Sequence, residues 1–207
     1  MIARLAVLLI VGLAWTATPP GTQARELPKL ALPCAKCHGV DGISPHTTVP
    51  NLAGQKWRYL AQQLKNFRTA AKGDFGKSGL GGRRHPKMET MAEPMGDAEI
   101  EAFAIHYSIL SCGAGTSVVL PMPRVATRCT VCHGHKGISP LGRVPNLAGQ
   151  KQSYLVKQLA FFRDAGRGLG YGDEEARYHS MMDSQGQTLN DMNLYALARY
   201  YASLPCR

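Results

Sequence analysis

Cys34-Ala35-Lys36-Cys37-His38 recurs 95 positions later as Cys129-Thr130-Val131-Cys132-His133. Both read C-x-x-C-H, the attachment signature of a c-type haem. In that signature the two cysteines bond to the porphyrin vinyl groups, and the adjacent histidine lies under the iron. The competing reading of a C-x-x-C pair is half of a zinc ribbon, whose second pair normally follows within about 20 residues. Here the pairs are far more distant and a histidine follows each. The sequence therefore implies two covalently bound haem c groups, with Cys34, Cys37, Cys129 and Cys132 as attachment points and His38 and His133 as iron ligands.

Much more than the motif is duplicated. Val49-Pro50-Asn51-Leu52-Ala53-Gly54-Gln55-Lys56 returns as Val144-Pro145-Asn146-Leu147-Ala148-Gly149-Gln150-Lys151. Tyr59, Leu60, Gln63, Leu64, Phe67 and Arg68 return as Tyr154, Leu155, Gln158, Leu159, Phe162 and Arg163. After a one-residue gap, Arg83-x-His85-x-x-Met88 matches Arg177-x-His179-x-x-Met182, and Tyr107, Leu110 and Cys112 match Tyr201, Leu204 and Cys206. A repeat of this length marks an internal duplication. Gly113 to Pro123, with Gly-Ala-Gly-Thr-Ser and Pro-Met-Pro, has linker composition. The expected domains are 25–113 and 123–207.

Each copy reads as mainly helical. Trp57, Leu60, Leu64 and Phe67 form one apolar stripe. Ile100, Phe103, Ala104 and Tyr107 form another, on a helix opened by Asp97. Its counterpart opens at Asn190-Asp191, a capping pair, and carries Leu194, Leu197, Ala198 and Tyr201. A short helix should lead into each haem motif. The Gly-, Arg- and Lys-rich stretches 72–87 and 166–180 read as loops, and no strand is expected.

The 207 residues carry a formal net charge of +10. Arg4, the apolar run Leu5 to Ala17 and Thr22-Gln23-Ala24 read as a secretory signal over residues 1–24. The alternative is a membrane anchor, but the run is shorter than the roughly 20 residues of a spanning helix. Export to the periplasm agrees with haem attachment and with disulfide chemistry. Basic charge suits acidic redox proteins or an anionic membrane surface. Nucleic acid is discounted, because the basic residues are scattered and no binding motif appears.

A sixth ligand separates closed electron-transfer haem from open catalytic haem. Met88 and Met182 fall at equivalent positions, whereas Met91 and Met95 have no methionine counterpart and Met181 is out of register. His/Met ligation raises the potential. His85 and His179 are the rivals, and bis-histidine ligation would lower it. The carbonyls of Pro50 and Pro145 are candidates to orient His38 and His133. Arg83 and Arg177 are candidates for haem propionates, with solvated loop arginines as the alternative. Cys112 and Cys206 are expected to form a disulfide if the copies pack about a pseudo-twofold axis; otherwise they are unpaired or intermolecular thiols.

Paired C-x-x-C-H, P-x-L-A-G-Q, Y-L-x-x-Q-L and late-methionine motifs resemble the cytochrome c4 family, over nearly all of the expected mature chain. The resemblance implies an all-α protein of two tandem class I cytochrome c domains. It further implies a periplasmic electron carrier to terminal oxidases or other acceptors, not an enzyme. Its axial ligands would be His38 and Met88 in one domain, His133 and Met182 in the other. Glu93-Pro94-Met95-Gly96 and the paired terminal cysteines depart from the usual pattern. Two other functions use similar chemistry. One is the cytochrome subunit of a sulfide- or alcohol-oxidising dehydrogenase complex. The other is a dihaem enzyme, which would need one open iron; the matched methionines argue against it.

Overall fold

A computed structural model describes residues 31–75, 81–113, 118–169 and 174–206. The signal segment 1–24 and parts of the linker and of the two Gly-rich stretches lie outside them.

The first copy contributes α1 (Leu32–His38), α2 (Trp57–Ala71), β1 (Gly81–Arg84), α3 (Pro86–Ala92) and α4 (Asp97–Ile109). The second contributes a 3₁₀ turn (Arg124–Arg128), α5 (Thr130–His133), α6 (Gln152–Gly166), β2 (Ala176–His179), α7 (Ser180–Gly186) and α8 (Asp191–Ser203). The same elements thus recur in the same order. In each copy the long central helix carries the others: α2 packs on α3 and α4, and α6 on α7 and α8.

The apolar stripes form two separate cores. Leu60, Ala61, Ile100, Phe103, Ala104 and Tyr107 close the first. Leu155, Leu197, Ala198, Tyr201 and Leu204 close the second. Trp57 departs from its expected place. It stands in the first turn of α2, 39% exposed, with the Arg58 guanidinium 5.2 Å from its ring. The final helices start as the sequence implies. Asn190 caps α8 by accepting from the Asn193 N–H at 2.8 Å. In the first copy Gly96 holds that place, and the Glu99 carboxylate reaches back to its N–H at 2.8 Å. An ion pair repeated at equivalent places, Arg68–Asp97 and Arg163–Asp191, both 2.6 Å, ties each final helix to its central helix.

The stretches expected to be loops contain the only strands among the described residues. β1 and β2 pair antiparallel, with Gly82 opposite Tyr178 and Arg83 opposite Arg177. Neither has a strand's alternation or, among the described residues, a strand partner in its own copy. Each becomes a strand by supplying the ladder partner the other lacks. Gly82 is required by this pairing: a Cβ there would lie 2.2 Å from the Tyr178 ring.

Candidate functional site

The two C-x-x-C-H segments fold alike. α1 and α5 each end on their histidine, followed by glycine with positive φ, +80° at Gly39 and +76° at Gly134. A Cβ at either glycine would come within 2.2 Å of a carbonyl, of Ile43 or Ile138. The sharp exit they allow turns the following chain back over the motif. Pro50 and Pro145 then meet the imidazoles as expected: His38 Nδ1–H donates to the Pro50 carbonyl at 2.9 Å, and His133 Nδ1–H to the Pro145 carbonyl at 3.0 Å. That bond fixes the tautomer and leaves Nε2 of each ring as a lone-pair donor. Burial lowers the pKa of both histidines, with the carbonyl bond opposing it. Both rings are therefore held in the neutral form a metal requires.

Cys34 and Cys37 lie on α1 with His38, and Cys129 and Cys132 cap and line α5 with His133; all four are free thiols. Burial pushes the Cys34 and Cys129 thiols up. The set of two thiols and one Nε2 per copy is the donor chemistry of a covalent haem site. Buried polar atoms in both copies also await partners. Nδ1 of His85, Nδ1 of His179 and the Tyr107 hydroxyl have none among the described residues. The residues present therefore fit two bound porphyrins.

Met88 lies on α3 and Met182 on α7, each half-buried. His85 and His179 precede those helices as N-cap residues, and each receives a carboxylate at its backbone N–H: Glu89 at 2.9 Å, Asp183 at 3.1 Å. His85 Nε2 lies 3.8 Å from Glu175, which also pairs with Lys157.

Two sets of functional residues carry no motif that announces them. Ser44 and Ser139, each 1% exposed, donate to the carbonyls of the second motif cysteines: Ser44 Oγ to Cys37 at 2.7 Å, Ser139 Oγ to Cys132 at 2.6 Å. Their signal was the repeated Gly-Ile-Ser-Pro at 42–45 and 137–140. The second set joins the copies. The Asn51 N–H donates to the Gln150 side-chain carbonyl and the Asn146 N–H to that of Gln55, both at 2.8 Å. Asn51 Nδ2 reaches the Gly149 carbonyl and Asn146 Nδ2 that of Gly54, both at 3.2 Å. The repeated Asn-Leu-Ala-Gly-Gln is thus an interdomain clasp. Beside it Cys112 and Cys206 form the expected disulfide, Cα atoms 6.1 Å apart.

Arg83 and Arg177 are not solvated loop residues. Arg83 donates to Tyr154 of the other copy at 2.8 Å and to Gln63 at 3.2 Å. Arg177 donates to Tyr59 of the other copy and to Gln158, both at 2.7 Å. Each guanidinium also stacks on its own copy's phenylalanine, Phe67 at 4.8 Å and Phe162 at 4.7 Å.

The comparisons agree with this architecture. The family described as Cytochrome c matches residues 29–106 and again 124–205. Cytochrome c4 of Stutzerimonas stutzeri is 31% identical over 215 residues, covering 96% of each chain. A protein of Thiomonas intermedia (strain K12) named thiosulfate dehydrogenase electron acceptor is 29% identical, covering 97% of this chain and 90% of its own length. The crystal structure of reduced recombinant cytochrome c4 from Pseudomonas stutzeri superposes with a TM-score of 0.67 at 29% identity, over 84% of this chain and 94% of that one. Two covalently bound haem c groups, one per cytochrome c domain, and an electron-transfer role without an enzymatic one follow. On these matches and on its duplicated, imidazole-anchored fold, the chain belongs to the cytochrome c4 family of dihaem electron carriers.

Proposed function

We propose that this protein is a periplasmic carrier in a respiratory chain, in which each iron sits between one histidine and one methionine. Residues 25–113 and 123–207 form the two working domains after removal of residues 1–24. Cys34, Cys37, Cys129 and Cys132 carry the thioether bonds. His38 and His133 are the proximal ligands, Met88 and Met182 the distal ones. When bound, the haem supplies one-electron iron chemistry. The chain anchors it, orients the ligands and keeps water from the iron.

The observation that carries this reading is the matched pair of neutral imidazoles, each tied through Nδ1 and each closing a short helix that also bears its two motif cysteines at or near its start. Burial supports the methionine choice. Met91 and Met181 are exposed, Met181 at 63%, and Met95 packs against the first core. Met88 and Met182 are half-buried at equivalent positions. The rival His85 is drawn toward Glu175 instead. The Cys112–Cys206 disulfide favours an oxidising compartment. No helix of the described residues is long and apolar enough to cross a membrane. Denaturing mass spectrometry of protein from a host with working cytochrome maturation tests the covalent attachment, and must show two added porphyrins. A methionine-to-ferric-iron charge-transfer band must be present and vanish in the Met88→Ala, Met182→Ala double variant.

A second reading has its own support. The relative named thiosulfate dehydrogenase electron acceptor spans nearly this whole chain. An acceptor closely coupled to a sulfur-compound dehydrogenase would co-purify with that enzyme and be reduced by it at substoichiometric enzyme. A carrier for a terminal oxidase would show neither.

A further inference from the structure

A surface cavity of about 370 Å³ opens on one side of the seam between the copies. Gln55, Lys56, Trp57, Arg58 and Ser108 of the first copy line it, together with Gly142 of the second. It borders the clasp, because Gln55 also donates to the Asn146 carbonyl at 2.9 Å. Whatever enters this notch therefore touches both domains.

The lining is cationic and contains no acid. Among the described residues neither Lys56 nor Arg58 has a carboxylate within ion-pair distance, whereas Arg68, Arg163 and Lys157 each have one. Arg58 stacks on the exposed Trp57 and runs beside Gly142 of the other copy, its Cδ 3.6 Å from where a Cβ would stand. An exposed indole carrying a guanidinium is the pairing that anchors protein interfaces.

The duplication provides an internal control. Where the first copy has Trp57, Arg58 and Ser108, the second has Gln152, Ser153 and Ala202, and Thr47 stands opposite Gly142. Of the charged residues in the lining, Lys56 alone returns, as Lys151. The clasp is nonetheless the same on both sides. The fold thus stands without this set of residues, and their presence on one side calls for another reason.

We propose that the notch is a carboxylate-binding site that receives an acidic segment of a redox-partner protein, and so selects the side of the seam on which that partner docks. Its volume is that of clefts which enclose small organic groups rather than a single ion. The net charge of +10 draws acidic proteins in, and a guanidinium matches carboxylate geometry. Binding is non-covalent and no electron passes through the notch. The proposal rests on the reading of the chain as a carrier that meets partner proteins, not on its iron ligands.

The test is NMR of reduced, nitrogen-15-labelled holoprotein titrated with an end-blocked tetraglutamate peptide. Once residues 1–24 are removed Trp57 is the sole tryptophan, since the other is Trp15, so a single indole N–H signal reports on the notch. That signal should move saturably with tetraglutamate and stay in place with blocked tetraglutamine. Arg58→Ser, the residue the second copy carries, should weaken the peptide by about three- to tenfold, as for one charge-assisted contact in an open cleft. Arg199→Gln removes an equal charge from the exposed face of α8, outside the lining, and should stay within about twofold of wild type at physiological salt. An unmoved indole, an equal response to tetraglutamine, or equal losses in the two variants overturn the site. Sodium sulfate moving the signal at a lower concentration than the peptide would also overturn it, in favour of a small oxyanion. A wild-type mass lacking two porphyrins would instead remove the carrier reading and leave the peptide result standing.

Discussion

Asn51 and Gln150 hold each other twice across the domain boundary. The Asn51 N–H donates to Gln150 Oε1 at 2.8 Å, and Gln150 Nε2 donates back to the Asn51 carbonyl at 3.0 Å. Gln150 is buried and its Oε1 also accepts from the Lys151 N–H at 3.0 Å, so truncation leaves three backbone groups without partners. Gln150→Ala should cost at least about 3 kcal/mol, at roughly 1–3 kcal/mol per orphaned group. Denaturant unfolding followed by circular dichroism checks this. A midpoint equal to wild type would mean that water replaces the clasp freely.

The disulfide closes a long loop, with 94 positions separating Cys112 from Cys206. Loop-closure entropy for that length gives about 5 kcal/mol as an upper figure, and losing a native disulfide typically costs about 2–5 kcal/mol. Cys112→Ser with Cys206→Ser should lower the unfolding midpoint, while the visible spectrum of each haem stays as in wild type. A changed spectrum would show that the bond also shapes the iron sites.

Neighbouring methionines provide a sharp contrast. Met181 is 63% exposed and Met182 is half-buried on the same helix, α7. Met182→Leu should remove about half of the methionine–iron charge-transfer absorbance, as one of two sites, and lower that haem's potential, since thioether favours ferrous iron. Met181→Leu should change neither. The reverse pattern would move the distal ligand by one residue.

Ser44 is a buried strut beneath the first haem motif. Its hydroxyl donates to the Cys37 carbonyl at 2.7 Å and accepts from the His46 N–H at 3.1 Å. Ser44→Ala strands both groups and should destabilise the first domain by about 2–6 kcal/mol, at roughly 1–3 kcal/mol for each. Ser139→Ala should do the same in the second, where Ser139 Oγ donates to Cys132 and accepts from the Leu141 N–H at 3.0 Å. Separate unfolding of the two domains, read through each haem's spectrum, would locate each loss.

Most of the helical fold was legible because its signals are local. The stripe Ile100, Phe103, Ala104 and Tyr107 needs only a 3.6-residue period, and all four are buried. The bond between His38 and Pro50 was legible because proline offers an acceptor and no competing donor. The β1–β2 ribbon was not legible, because its pairing partner is a distant copy and its own residues, Gly81-Gly82-Arg83-Arg84, carry no strand pattern. Asn51 and Gln55 were visible as repeated residues, but repetition alone does not separate a contact within a copy from one between copies. Trp57 was misread because a first-turn position shares the helical period without sharing the buried face.

The strand ladder has a further meaning. The strand register and the hydrogen bonds of the Asn-Gln clasp each have a mirror image across the boundary, so this part of the surface each half presents is complementary to itself. Self-complementarity of this kind is what a twofold homodimer requires. Joined in one polypeptide, the two subunits cannot dissociate on dilution, and their effective concentration is fixed by the tether. Fusion has turned an assembly equilibrium into a folding step, leaving the two copies free to diverge in sequence while remaining obligate neighbours.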